Sequence, residues 1–412
     1  MSTPYNIQQA AVIGAGTMGR GIVISLARAG LSVLWLDSDP CATDAGLAML
    51  AQTWAQQVAK GRIDQVTADA CLARVRRATA YADIAEADLV IEAVYESLTL
   101  KQDIFRTLDS TLKAQAILAS NTSALDIDAI AAVTRRPEQV LGMHFFSPAH
   151  VMKLLEVVRG ERTSPAVIEA AQALGQRMGK EVVVAGNCPG FIGNRMLVTY
   201  VAEARKLLLE GATPRQVDEV LQAFGMAMGP FRMYDVIGID LEWRARQLAD
   251  KGTEAPLVQV DNALCAQGRF GQKSGQGYYR YAPGSREAEH DPQVDALVLK
   301  VARGLGMHRR EIDDEEILER CLLALVNEGA KILEASVASC SADIDRVYLH
   351  GYGFPAAVGG PMRWADQQGL SQLLARLERL QGLFGEHWRP AGLLMRLVAD
   401  GKQLADVREG RA

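Results

Sequence analysis

The stretch from Ala10 to Asp37 leaves the N-terminal part of this chain little choice of architecture. Ala10 to Ile13 is a short apolar run of strand type that empties into Gly14-Ala15-Gly16-Thr17-Met18-Gly19. A helical pattern follows from Arg20 to Ala29, then a second strand signal, Ser32 to Leu36, ending on Asp37. Strand, glycine turn, helix, strand and acid in this order, with the acid 18 residues beyond Gly19, are the pattern of a dinucleotide-binding unit. Gly14 permits the tight turn, Gly16 lets the backbone approach a pyrophosphate, and Gly19 lets helix and strand pack closely. The helix N-terminus is thereby left to face the phosphates. Asp37 is placed to accept hydrogen bonds from the adenosine ribose and to repel a 2′-phosphate, so the expected cofactor is NAD rather than NADP. A plain βαβ unit without a ligand is the bland alternative.

From Pro40 to Arg77 the pattern reads as helical, with Leu47, Leu50, Trp54 and Val58 recurring at three- and four-residue steps. Leu89 to Glu92 is the next buried strand, followed by a helix that carries Lys101, and then Ile117 to Ala119 runs into Ser120-Asn121-Thr122-Ser123. Small polar groups at the carboxyl end of a parallel strand lie where doubly wound sheets bind ligands, although such residues also cap local backbone. His144 sits where the apolar run Leu141-Gly142-Met143 ends, and Glu156 lies twelve residues on inside a second run, Leu154 to Val158. That separation is too long for one helix face, so the two meet only if neighbouring strands bring them together. Pro165 to Met178 reads as a helix and Val182 to Val184 as a last strand.

The character then changes to helix throughout. A long amphipathic segment containing Asn194 ends at Gly211, and Thr213-Pro214 opens another helix. Ala282 to Glu287, continued by His290-Asp291-Pro292, is the clearest linker. Beyond it comes a weak internal repeat: Glu203, Leu207-Leu208, Asp218, Gly229-Pro230, Asp235 and Gly238 are echoed by Glu328, Ile332-Leu333, Asp345, Gly360-Pro361, Asp366 and Gly369. The expected architecture is a Rossmann-type α/β domain over residues 1–187, a first helical domain over 188–284, and a second, related all-α domain over 291–412.

A formal net charge of −5 with no basic stripe argues against a nucleic-acid binder. Neither a signal peptide nor a membrane span is expected, because the N-terminus lacks a cationic region and Arg20 and Arg28 interrupt the apolar stretch; the chain reads as soluble and cytoplasmic. Six scattered cysteines without a CxxC pair and six histidines without ligand spacing make no case for a metal.

Several blocks in order resemble the L-3-hydroxyacyl-CoA dehydrogenases, and more closely the dehydrogenase portion of peroxisomal-type multifunctional β-oxidation enzymes. They are VIGAGTMGRGI, SNTSAL, HFFSPAHVMKLLEVVRG, NCPGFIGNRML, FGMAMGPFRMYDVIGID, RFGQKSGQGYYRY, DEEILERCLLALVNEGAKILE and GYGFPAAVGGPM. The resemblance implies His144 as catalytic base, Glu156 as its partner, and Ser123 and Asn194 as active-site polar groups. It also implies Glu96 and Lys101 as cofactor contacts beside Gly14, Gly16, Thr17, Met18, Gly19 and Asp37. The implied activity is reversible NAD-dependent oxidation of (S)-3-hydroxyacyl-CoA. Two alternatives are the same chemistry on a hydroxy acid without CoA, and a non-catalytic NAD-binding scaffold.

The chain departs from these relatives in places. The glycine motif begins within the first twenty residues, so no hydratase domain is expected before it and a separate enoyl-CoA hydratase is the expected pathway partner. Glu242 stands where a small residue is usual, and Ala356-Ala357-Val358 replaces a commonly basic stretch. Single-domain relatives dimerise through their helical domain, so a second helical copy in the same chain implies a monomer.

Overall fold

A computed structural model describes residues 5–248 and 255–407 of the 412-residue chain. The N-terminal elements are β1 (Gln9–Ile13), α1 (Thr17–Arg28), β2 (Ser32–Leu36), α2 (Pro40–Ala59), α3 (Gln65–Ala73), β3 (Val75–Arg77), β4 (Leu89–Glu92) and α4 (Leu98–Thr111). They continue as β5 (Ile117–Ser120), α5 (Ile127–Ala131), β6 (Val140–Phe145), β7 (Leu154–Arg159), α6 (Pro165–Arg177) and β8 (Glu181–Gly186). The strands form one sheet in the order β3-β2-β1-β4-β5-β6-β7-β8, parallel throughout except for the antiparallel pair β6 and β7. Helices cover the sheet, so central strands are apolar on both sides: Ala10, Ala11 and Val12 of β1 and Val90 and Ile91 of β4 have no exposed surface. The strand order reverses direction between β1 and β4, which opens a crevice at their carboxyl ends.

The strand and helix expectations hold with small boundary shifts, except for one. Pro40 to Arg77 is not a single helical pattern but two helices and a strand. Gly61 breaks the first helix with φ +64°, Asp64 caps the second by accepting from Thr67 N at 2.7 Å, and Val75 pairs with Val33 at the sheet edge.

The helical part comprises α7 (Gly193–Glu210), α8 (Pro214–Phe224), α9 (Pro230–Ile237), α10 (Asp240–Leu248), α11 (Gln259–Ala266), α12 (Pro292–Gly304), α13 (Asp314–Glu334), α14 (Ser341–Gly351), α15 (Pro361–Gln368), α16 (Leu370–Phe384) and α17 (Gly392–Ala399). The chain divides into two compact units, one of residues 1–194, 332–351 and 407–412 and the other of 195–331 and 352–406. The second helical copy is therefore shared between them: α14 belongs with the sheet, where it packs against β7 and β8.

The repeat has a structural counterpart within the helical unit. Arg195 donates to Glu328 at 2.7 Å, and Arg320 donates to Glu203 at 2.8 Å. Arginine and glutamate are eight residues apart in each copy, so the contacts are reciprocal, as in a two-fold interface. Asp235 accepts from Tyr278 N and Tyr279 N at 2.8 and 2.9 Å, and its counterpart Asp366 accepts from Leu404 N and Ala405 N at 2.8 and 3.0 Å. In both copies an aspartate ties a helix to a distant loop; burial pushes Asp235 up to about 6 and Asp366 upward as well, against the pull of these donors. Glu242 is bound by Tyr234 Oη at 2.6 Å and Arg205 at 3.1 Å, so it completes a local network. Among the described residues, no helix is long and apolar enough to cross a membrane.

Candidate active site

The antiparallel pairing of β6 and β7 sets His144 directly opposite Glu156. The strand partnership expected from their separation is thus what joins them. His144 Nδ1 lies 2.7 Å from Glu156 Oε2, and the glutamate side chain is fully buried. An ionised carboxylate can only accept, so the proton of the neutral imidazole stays on Nδ1 and leaves Nε2 as the basic nitrogen. The other oxygen, Oε1, accepts from Ile192 N at 3.2 Å and Gly193 N at 3.0 Å. Those two N–H groups are aimed by the turn at Pro189-Gly190, where Phe191 takes φ +51°, a conformation a bulky residue adopts only when its surroundings enforce it. Three partners on one buried carboxylate offset its desolvation. The imidazole lies against Phe146, with ring centroids 4.4 Å apart, and Phe191 at 5.7 Å.

The turn joining β6 to β7 is pinned from below. Lys180, buried between α6 and β8, donates its Nζ to the carbonyls of Ala149 and Met152. Burial, with Arg28 nearby, lowers Lys180 to about 8. A methyl group on Gly21 of α1 would meet Ala149 Cβ at 2.9 Å, so the turn and the nucleotide-binding helix are in direct contact.

The polar cluster after β5 serves both readings open in the sequence. Asn121 Oδ1 accepts from Phe145 N at 2.9 Å, which fastens the cluster beside His144, and Thr122 Oγ1 accepts from Leu125 N at 2.9 Å as a local cap. Ser120 and Thr122 are buried, whereas Ser123 is exposed. Ser123 Oγ donates to Glu96 Oε1 at 3.2 Å, and Asn194 Nδ2 donates to Ser123 O at 3.3 Å. The structure therefore brings Glu96, Ser123 and Asn194 together, and places His144 with Glu156 on the adjoining strands.

Lys101 differs from its expected place as a direct cofactor contact. Its side chain has no exposed surface; Nζ donates to Glu92 Oε1 at 2.7 Å and lies 3.4 Å from Glu96 Oε2. Glu92, itself unexposed, also accepts from Ser120 Oγ and Val94 N at 2.7 Å each. A buried ammonium shared by two carboxylates holds Glu96, which is 38% exposed, at the mouth of the crevice. Glu92 was missed as a site residue, although a lone carboxylate ending an apolar strand is the signal that marks it.

At the other end, Gly14 has φ +109° and a side chain there would strike Ala93 O at 2.6 Å. A side chain on Gly16 would meet nothing within 4 Å, so that backbone faces open space, while one on Gly19 would collide with Gly14 O at 2.0 Å. Gly16 and Thr17 are exposed and Met18 half-buried, and no acidic residue occupies the first turn of α1. Asp37 Oδ2 accepts from Ala15 N at 2.6 Å, which holds the acid against the glycine turn. An open helix N-terminus, a glycine facing open space and a carboxylate at the end of β2 fit a dinucleotide with a free ribose.

Fold and site together define a Rossmann-type oxidoreductase. The family description "3-hydroxyacyl-CoA dehydrogenase, NAD binding domain" matches residues 9–188, and "3-hydroxyacyl-CoA dehydrogenase, C-terminal domain" matches twice, over 190–281 and 317–410. The chain belongs to the 3-hydroxyacyl-CoA dehydrogenase family, and its cofactor is NAD. It is 46% identical over 418 residues to the peroxisomal bifunctional enzyme of Danio rerio, a match that covers 97% of this chain and 57% of that protein. The chain thus spans about half the length of the curated relatives it matches. The 3-hydroxybutyryl-CoA dehydrogenase of Escherichia coli is similar in structure, with TM-score 0.83 and 30% identity over 96% of this chain and 99% of that one. The (S)-3-hydroxybutyryl-CoA dehydrogenase of Ralstonia eutropha matches 67% of this chain over its full length, with TM-score 0.62 and 34% identity.

Proposed function

We propose that this chain catalyses reversible NAD-linked oxidation of (S)-3-hydroxyacyl-CoA to 3-oxoacyl-CoA. The observation that carries the reading is the buried His144–Glu156 pair, with Nδ1 committed at 2.7 Å. Oxidation of a secondary alcohol removes a proton from oxygen and a hydride from carbon, and bound NAD supplies the hydride acceptor. A neutral hydroxyl is a poor hydride donor, so a base must take its proton, and Nε2 of His144 is the free basic nitrogen. Glu156 keeps that tautomer and stabilises the imidazolium that forms. Ser123 and Asn194 hold the substrate oxygen as it becomes a carbonyl, a preorganised polar contact of the kind that lowers a barrier. The reverse reaction returns the proton from the same imidazolium.

The test is NADH formation measured across 3-hydroxyacyl-CoA thioesters of graded length and across the free 3-hydroxy acids. Thioesters should be preferred by kcat/KM; equal or faster turnover of the free acids sinks the CoA part of the reading, and no turnover of any thioester sinks the whole. The hydroxyl consumed here is the one that water addition to an enoyl thioester creates, so a hydratase activity outside these 412 residues is the source we propose for the substrate. Conversion of an enoyl-CoA by the purified chain alone would overturn that part. Cofactor choice is checked at Asp37. Asp37→Ala removes the negative charge beside the ribose, and the ratio of kcat/KM for NAD over NADP should drop by about tenfold or more, as loss of one charged hydrogen bond and one repulsion implies. Discrimination unchanged from wild type would mean that another group reads the ribose.

A further inference from the structure

Helix α14 comes from the second helical copy, yet it belongs to the unit that holds the sheet. Gly186 N at the end of β8 donates to Val337 O at 2.7 Å, just before this helix. Gly351 at its other end lies so close to β7 that a methyl group there would meet Leu154 Cδ2 at 2.6 Å. Between these contacts α14 carries Tyr348, which is 1% exposed. Its hydroxyl donates to Gly193 O in a long bond of 3.4 Å. Gly193 is also the residue whose N–H holds Glu156 Oε1 at 3.0 Å, and its carbonyl belongs to the peptide that leads into Asn194. Burial first, and then the charge of Glu156, keep this phenol protonated, so it remains a donor.

We propose that Tyr348 is a positioning residue for the active site, steadying the Gly193 peptide between the carboxylate of Glu156 and the amide of Asn194. The second helical copy thereby contributes to the chemistry of the first, in addition to packing against it. Nothing in the repeat requires this. The residue aligned with Asn194 by the arginine spacing is Glu319, which pairs with Arg379, so the second copy has no active-site amide of its own.

The inference rests on the reading of His144 and Glu156 as base and partner. Its test is Tyr348→Phe in the full chain, which keeps the ring and removes the hydroxyl. Oxidation of 3-hydroxybutyryl-CoA should slow by about three- to tenfold in kcat, the range for one neutral hydrogen bond, with KM for NAD unchanged. The acid limb of kcat/KM should also move to lower pH, in the direction that Glu156→Gln moves it further, because a displaced carboxylate stabilises the imidazolium less. Wild-type kcat and an unmoved acid limb would overturn the proposal, and a lower melting temperature alone would mark Tyr348 as a packing residue. Should Tyr348→Phe fail to fold, Tyr348→Met carries the same expectations. His144→Gln is run beside it. An inactive His144→Gln with wild-type Tyr348→Phe sinks only this inference, whereas an active His144→Gln sinks the base assignment beneath it.

Discussion

His144→Gln should lower kcat for 3-hydroxyacyl-CoA oxidation by about 10²- to 10⁴-fold, the range a positioned general base contributes. Glutamine can still hydrogen-bond to Glu156 and fill most of the space between Phe146 and Phe191, so the fold should survive. What it lacks is a nitrogen able to take a proton near neutral pH. The loss should appear in kcat and in kcat/KM alike, since the imidazole acts in the transition state rather than in holding the ground-state thioester. NADH absorbance gives the rate, and circular dichroism with a thermal melt shows that the variant is folded. Glu156→Gln should be less severe in rate but worse in stability. It keeps a side chain opposite His144 yet presents an NH₂ group where Ile192 N, Gly193 N and Nδ1–H all need acceptors. A folded His144→Gln enzyme within tenfold of wild type would remove the assigned base.

How far the sequence could be read depended on whether a feature was local. The glycine turn, the strands β1, β2, β4 and β5, and Asp37 are written in short runs whose side chains act on their own neighbours, and the structure places them as expected. His144 and Glu156 were legible as candidates, but the register that sets them face to face comes from the sense of the β6–β7 pairing. Strand β3 escaped notice because only Val75 of its three residues is buried and two arginines follow it. The resemblance implied Lys101 as a cofactor contact. Its partner Glu92 lies on a different element nine residues earlier, and nothing in a helical pattern reports that the pair is sealed from solvent. The two copies were visible as a repeat, but the reassignment of α14 to the sheet was not. It depends on contacts with β7 and β8 that no periodicity encodes.

The same repeat yields the largest expected effect on stability, through an asymmetry between two related arginines. Arg320 has no exposed side-chain surface and donates to Glu203 at 2.8 Å, to Glu210 at 2.5 Å and to Glu316 at 2.9 Å, with its guanidinium 4.3 Å from the Phe384 ring. Its counterpart Arg195 is 26% exposed in its side chain and donates to Glu328 at 2.7 Å. Arg320→Met fills much the same volume but strips the common cation from three glutamates. Lys206, at 3.1 Å, still faces Glu203, but among the described residues Glu210 and Glu316 keep only Arg310 as a cation, itself 46% exposed, at 3.7 Å and nearer. Breaking a buried ion network from one side costs about 3–5 kcal/mol. In a unit of this size that is a fall of roughly 6–20 °C in melting temperature. Arg195→Met leaves one carboxylate, Glu328, 10% exposed in its side chain, with Lys331 at 3.5 Å, so the loss should be smaller, about 1–3 kcal/mol. Thermal melts of the two variants, each followed at several protein concentrations, read both the asymmetry and the assembly state. If the second copy takes the place of a partner subunit, as the reciprocal pairing suggests, the melting temperature of either variant should not change with concentration, since no dissociation accompanies unfolding. Equal losses at Arg195 and Arg320 would show that burial does not set the strength of these pairs. A melting temperature that climbs with concentration would show that the chain still needs a second copy of itself.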